Sequence, residues 1–149
     1  MPDATDPGIR PRLRPLPLPA GVRDRLARHA EAAWPAEACG ILVGRADAGR
    51  DAPVDDAIPL PNLAGHPDRA WRLDPLAIAA RVPPGGRLLG FWHSHPDRSP
   101  LPSRRDVALA LPGFWQVVIA VSGGRAGARA AWRPVRADAP RQEDSPWPA

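Results

Sequence analysis

The chain has 149 residues, 22 of them proline and 13 glycine, with 20 basic and 16 acidic side chains and a net charge of +4. That length supports one hydrophobic core rather than two, and the single cysteine, Cys39, excludes a disulfide framework within the chain. All the basic residues are arginines scattered along the chain, which argues against a nucleic-acid footprint; no apolar run long enough for a membrane span or a leader is visible, so the expectation is a soluble cytoplasmic protein.

The first 20 residues hold six prolines and little apolar patterning, so 1–19 reads as an extended, mobile segment. Leu18, Val22, Leu26, Ala30 and Ala33 then recur at near-helical spacing and stop before Pro35, which predicts a helix. His29 and Glu31 fall on its solvated side. Strands are predicted over 41–43 and 54–60, with 46–51 turning between them. Asp74-Pro75 is an N-cap followed by proline at the first helical position, opening a helix to about Arg81. A strand over 88–92, a helix over 103–111 and strands over 116–121 and 128–133 follow. Ser122-Gly123-Gly124 supplies the last turn. The elements build a mixed sheet flanked by helices in one domain, residues 20–134. Residues 135–149 form a second Pro-rich tail, carrying an isolated Trp147.

The most informative stretch is His93-Ser94-His95-Pro96, followed by Ser103-Arg104-Arg105-Asp106. The apolar run 87–92 before it predicts that His93 and His95 sit at or just past the end of a buried strand. Residues two apart on a strand share a face, with side-chain bases roughly 6–7 Å apart. Two imidazoles at about 2.1 Å from a zinc ion span that gap. Asp106 is the candidate third ligand. It also fits a capping box, with Ser103 at the N-cap and Asp106 in the first turn. The two roles are compatible, because a capped helix start would hold Asp106 rigidly toward the strand end. Pro96, Pro100 and Pro102 stiffen the connection between them.

Three protein ligands leave a fourth tetrahedral position for water, and a carboxylate outside the ligand shell can then move the proton. Glutamate is scarce: only Glu31, Glu37 and Glu143 occur. Glu37 stands out because 35–40 runs directly into a short strand. Glu31 and Glu143 look solvated.

Taken together, Glu37, His93-Ser94-His95-Pro96 and Ser103-x-x-Asp106 resemble the signature of the JAMM (MPN-plus, JAB domain) zinc metalloproteases. The pattern Pro-x-Glu-x-Cys-Gly-x-Leu-x-Gly over 35–44 is similar to the small stand-alone prokaryotic members, as are Asn62 after a strand and Leu73-Asp74-Pro75 opening a helix. The resemblance covers about residues 20–134. It implies the JAB/MPN-type α/β (α+β) fold, a mixed sheet flanked by helices. It implies one zinc ion on His93, His95 and Asp106, with Glu37 taking a proton from the attacking water and delivering it to the leaving amine. Ser103 would donate to the oxyanion. The implied substrate is a ubiquitin-like sulfur-carrier protein with a C-terminal Gly-Gly, cleaved after its second glycine in a zinc peptidase or isopeptidase reaction.

Other readings stay open. The same chemistry would serve a deconjugating isopeptidase or a cell-wall or phage-type peptide hydrolase, and an unused site would make the chain a scaffold. A metallo-β-lactamase motif fails because Arg98 stands where another histidine is needed. A zinc deaminase fails for want of a cysteine pair. Cys39 reads as a small buried hydrophobe rather than a nucleophile, and His66 as a loop residue.

Overall fold

The computed structural model describes residues 11–135, so Trp147 and Glu143 lie outside the described residues. Along the chain run α1 (Ala20–Ala33), β1 (Cys39–Arg45), a short 3-10 turn (Ala46–Ala48), β2 (Asp56–Leu60), α2 (Pro75–Arg81), β3 (Gly86–Pro96), α3 (Arg104–Leu109), β4 (Trp115–Ser122) and β5 (Arg125–Trp132). This is the order expected from the sequence. The strands form one five-stranded sheet, β2-β1-β3-β4-β5, in which only β3 and β4 pair in parallel. The strand carrying the histidines is therefore central, with a neighbour on each side.

Two apolar clusters sandwich the sheet. Val22, Leu26 and Ala30 of α1 cover the face that carries Leu42, Trp92, Val117, Ile119 and Val121. Trp71, Leu73, Ala77 and Ile78 cover the face that carries Ile41, Val43, Ile58, Leu60 and Phe91. A β-bulge in β3 joins the two patterns: Leu42 pairs with Gly90 but Val43 pairs with Leu88. The extra residue shifts the alternation by one, so Leu88 and Phe91, three apart, share the second face. His93 and His95 follow Phe91 at period two and inherit that face.

Two glycines permit close packing around β3: Gly90 lets β4 approach it, and Gly40 lets β1 approach β2 and the Trp92 ring. A Cβ on Gly90 would lie 2.1 Å from the Trp115 carbonyl oxygen, and one on Gly40 would lie 2.0 Å from that of Ile58 and 2.6 Å from Trp92 Nε1. Backbone atoms cannot yield as a side-chain tip would. Gly40→Ala is expected to cost about 3 kcal/mol of unfolding free energy in a urea titration; a change below about 0.5 kcal/mol would mean the strands reseat freely.

Three expectations need correction. The strand does not stop at Trp92; it continues through Pro96, so both histidines are inside it. The reason is that β4 pairs with β3 as far as Pro96↔Val121, an inter-strand ladder that the local polarity of His-Ser-His conceals. His29 is half-buried rather than on a solvated face, stacked on Trp92 at 6.2 Å, and burial lowers its pKa. Residues 11–19 do not stand off from the domain: Arg14 N–H donates to Ala131 O at 2.8 Å, and Leu16 and Leu18 pack on the α1-side core. Proline excludes helix there but not an extended docked strap.

Candidate metal centre

His93, His95 and Asp106 converge on one point. His93 Nε2 lies 3.3 Å from His95 Nε2, 3.1 Å separates His93 Nε2 from Asp106 Oδ1, and 3.1 Å separates His95 Nε2 from Asp106 Oδ2. All three side chains are buried. Among the described residues they are the one group of three histidine, cysteine or acidic side chains close enough to share a metal ion. Bonds of about 2.0–2.1 Å at the tetrahedral angle place ligand atoms roughly 3.3 Å apart, which matches this spacing.

The hydrogen bonding makes the same point independently. His95 Nδ1 lies 2.8 Å from the carbonyl oxygen of Ser99, an acceptor, so Nδ1 carries the proton and a neutral ring presents its Nε2 lone pair inward. That lone pair faces a carboxylate oxygen and a second imidazole nitrogen. Three electron-rich atoms at this range require a cation or added protons between them. Burial disfavours a charged His93 and lowers its pKa, against the pull of Asp106. The donor set therefore fits a metal ion.

Asp106 closes the capping box expected of it while its carboxylate stands in the donor cluster. Ser103 Oγ accepts the Asp106 N–H at 3.1 Å, and Asp106 Oδ2 accepts the Ser103 N–H at 2.8 Å, a complete capping box at the start of α3. Burial pushes the Asp106 carboxyl up. The imidazoles of His93 and His95 beside it and the Ser103 N–H outweigh it and hold the group well below the usual carboxylate range. Ser103 Oγ is occupied as an acceptor, and its own proton donates to none of the described residues.

Glu37 enters from the other side of β3. Ala38 N–H donates to Ser94 Oγ at 2.8 Å and Ser94 N–H to Ala38 O at 3.0 Å, continuing the β1–β3 ladder and bringing Glu37 level with His95. Glu37 N–H donates to Pro67 O at 2.7 Å, and its carbonyl accepts from Asn62 Nδ2 at 3.0 Å. Its side chain is 3% exposed. Oε1 accepts from Arg98 Nη2, while Oε2 is buried without a partner among the described residues. Burial raises its pKa to about 7, against the lowering effect of Arg98. A carboxyl so placed can accept and return a proton near neutral pH.

Four residues here escaped sequence reasoning in whole or in part. Arg98, which in the sequence stands only where a rival motif needs a histidine, holds the Glu37 carboxylate. Trp71 stacks on His93 at 4.9 Å and seals the second face of the sheet. Ser94, the spacer between the histidines, points to the opposite face and bolts β3 to Ala38. Asn62 spends its side chain on four bonds: it donates to Glu37 O and Ala70 O and accepts from Ala64 and Arg72 N–H. Alternation could have found Ser94; the other three depend on contacts between distant segments. His66 is exposed. Cys39 is 1% exposed, with its thiol pushed up to about 12 by burial and the Glu37 charge, so it is not a nucleophile.

The profile of a family described as prokaryotic homologs of the JAB domain matches residues 19–135. The chain belongs to this family. Its mixed sheet with three helices is the JAB fold. A protein of Haloferax volcanii named desampylase is 36% identical over 117 residues, 72% of this chain and 82% of that one. A Thermus thermophilus protein named probable TtuB-protein conjugate cleaving protease is 33% identical over 115 residues, 74% of each chain. Among solved structures, the solution structure of a Salinibacter ruber protein superposes with a TM-score of 0.61 at 27% identity, covering 89% of this chain and 95% of that one. The bulge, the central His-x-His strand and the capped α3 are thus local devices within a JAB domain.

Proposed function

We propose that the chain is a zinc-dependent peptidase that hydrolyses the amide bond after the C-terminal Gly-Gly of a ubiquitin-like sulfur-carrier protein, maturing or releasing the carrier. One observation carries this reading: the three buried donors of His93, His95 and Asp106 stand 3.1–3.3 Å apart, with the buried Glu37 Oε2, unpartnered among the described residues, just before the neighbouring strand β1. The names of the two relatives, desampylase and TtuB-conjugate cleaving protease, support a hydrolase acting on protein conjugates. Imidazole and carboxylate donors in a three-ligand set suit a catalytic zinc site.

Zinc held by His93, His95 and Asp106 would polarise the scissile carbonyl and make water acidic enough to lose a proton near neutral pH. Glu37 Oε2 takes that proton and returns it to the departing nitrogen, so the amine leaves neutral. The Ser103 hydroxyl donates to the oxygen on which negative charge develops. With Cys39 buried and its thiol raised, the chain needs no covalent intermediate. Glycine has no side chain, so a narrow approach to this centre would select it by exclusion.

Ser103→Ala separates the two roles of that residue. It is expected to retain zinc, lose about 1 kcal/mol of stability with the cap, and turn over about 10²-fold more slowly. An unchanged kcat would reduce Ser103 to a helix cap.

The function itself is tested by incubating the zinc-loaded protein with a small carrier fused through Gly-Gly to a reporter. Cleavage after the second glycine, abolished by a chelator, is expected. A lysine-linked conjugate of the same carrier is the second substrate to try, favoured by the word conjugate in the Thermus relative's name. Folded, zinc-loaded protein that leaves both intact would point to a scaffold.

A further inference from the structure

We infer that Arg98 is a receptor for a leaving-group carboxylate, so that the chain cuts best where Gly-Gly is followed by one C-terminal residue. This narrows the substrate of the hydrolase proposed above and rests on that reading. Arg98 lies on the turn just after β3. Its side chain is 44% exposed, whereas the Glu37 side chain it touches is 3% exposed. The guanidinium thus reaches from open solvent to the buried base.

Only Nη2 is engaged there; Nε and Nη1 donate to none of the described residues. A guanidinium offers five donors in a planar fork that matches a carboxylate. The adjacent acid does not compete for it. Asp97 Oδ1 accepts the Gly123 N–H at 2.7 Å and Oδ2 accepts from Trp34 Nε1 at 3.2 Å. Holding Glu37 by Oε1 alone also leaves Oε2 for proton transfer, so Arg98 can serve a ligand without leaving the base.

The chemistry fixes where a substrate acid would fall. Hydrolysis adds water across the amide: a C–O bond forms at the glycine carbonyl, the C–N bond breaks, and the proton Glu37 took from water ends on the departing nitrogen. That nitrogen must therefore lie against Glu37. In a single terminal residue the α-carboxylate begins two bonds from the same nitrogen, within reach of the free edge of Arg98. A lysine Nε instead carries four methylenes and an uncharged backbone, and brings no acid to the arginine.

The test uses N-terminally labelled peptides ending in Gly-Gly-Ala as the free acid, the same sequence as its C-terminal amide, and Gly-Gly joined to a lysine Nε. With zinc-loaded full-length protein, kcat/KM for the free acid should exceed that for the other two by about 10- to 100-fold, the range of one hydrogen bond to a charged group. Arg98→Met should bring the acid down to the amide, and Arg98→Lys should restore part of the preference. An equal fall on all three peptides would make Arg98 a positioning residue for Glu37 and overturn the receptor role. Fluorescence anisotropy with chelator-treated protein reads the preference without turnover. At least tenfold tighter binding of the acid is expected there, and equal binding of acid and amide overturns the inference. Binding that prefers the acid, with no peptide cleaved by zinc-loaded protein, would support the receptor and count against the hydrolase alone.

Discussion

Glu37→Gln is expected to retain zinc and lose hydrolysis by roughly 10²–10⁴-fold, the usual contribution of a positioned general base. Glutamine keeps the shape of the side chain and its contact with Arg98 but cannot accept the proton. Loss of zinc in this variant would instead place Glu37 among the ligands. The same substitution has a stability signature. Burial raises the Glu37 pKa from 4.5 to about 7 in the folded chain, so between those values the folded state keeps a proton that the unfolded state has released. Folding stability contributed by this group therefore falls as pH rises through that window. The full shift corresponds to roughly 3 kcal/mol. Glutamine has no such term, so the Glu37→Gln protein should gain on wild type by that order between pH 4.5 and 7. Chelator-treated urea titrations at several pH values measure it, and His93 and His29, which also shift, cancel in the comparison. A constant difference across the window would mean that Glu37 is solvated and no tuned base.

Asp106→Ala and His95→Ala should each abolish zinc binding and activity together. Elemental analysis of proteins purified side by side is expected to find about one zinc per wild-type chain, as a three-ligand site holds, and none in either variant. Asp106 carries the larger structural burden, because its carboxylate bridges both histidines and closes the α3 capping box. Its loss therefore removes about 1 kcal/mol of capping and leaves two buried imidazoles facing each other. His95→Ala spares the cap. Added zinc at about 1,000 times its dissociation constant stabilises a binding protein by about 4 kcal/mol. Wild type should show a rise in Tm and His95→Ala none. No zinc in folded wild type supplied with the metal would sink the peptidase and favour a scaffold.

Each of these outcomes traces back to how β3 is built. The bulge at Leu88–Gly90 turns Phe91, His93 and His95 to one face. Gly90 lets β4 come close enough to extend the strand through both histidines. Ser94 then uses the opposite face to bind the chain next to Glu37. A three-residue His-Ser-His unit thus addresses both sides of the sheet, the candidate metal donors on one and a tether for the segment carrying Glu37 on the other.

The order of elements, the grouping of His93, His95 and Asp106 and the candidacy of Glu37 are legible in the chain alone. All of these are written in short-range patterns: alternation puts two histidines on one strand face, and an i to i+3 capping box orients Asp106. The contacts that local patterns do not encode join segments far apart in the chain. Arg98 meets Glu37 across 61 positions, Ser94 reaches Ala38 across 56, and Trp71 stacks on His93. The docking of residues 11–19 and the partial burial of His29 are of the same kind. Periodicity reports which face a residue occupies, not which distant group shares it; that pairing, and the basicity of Glu37 that depends on it, is set when strands register and solvent is excluded.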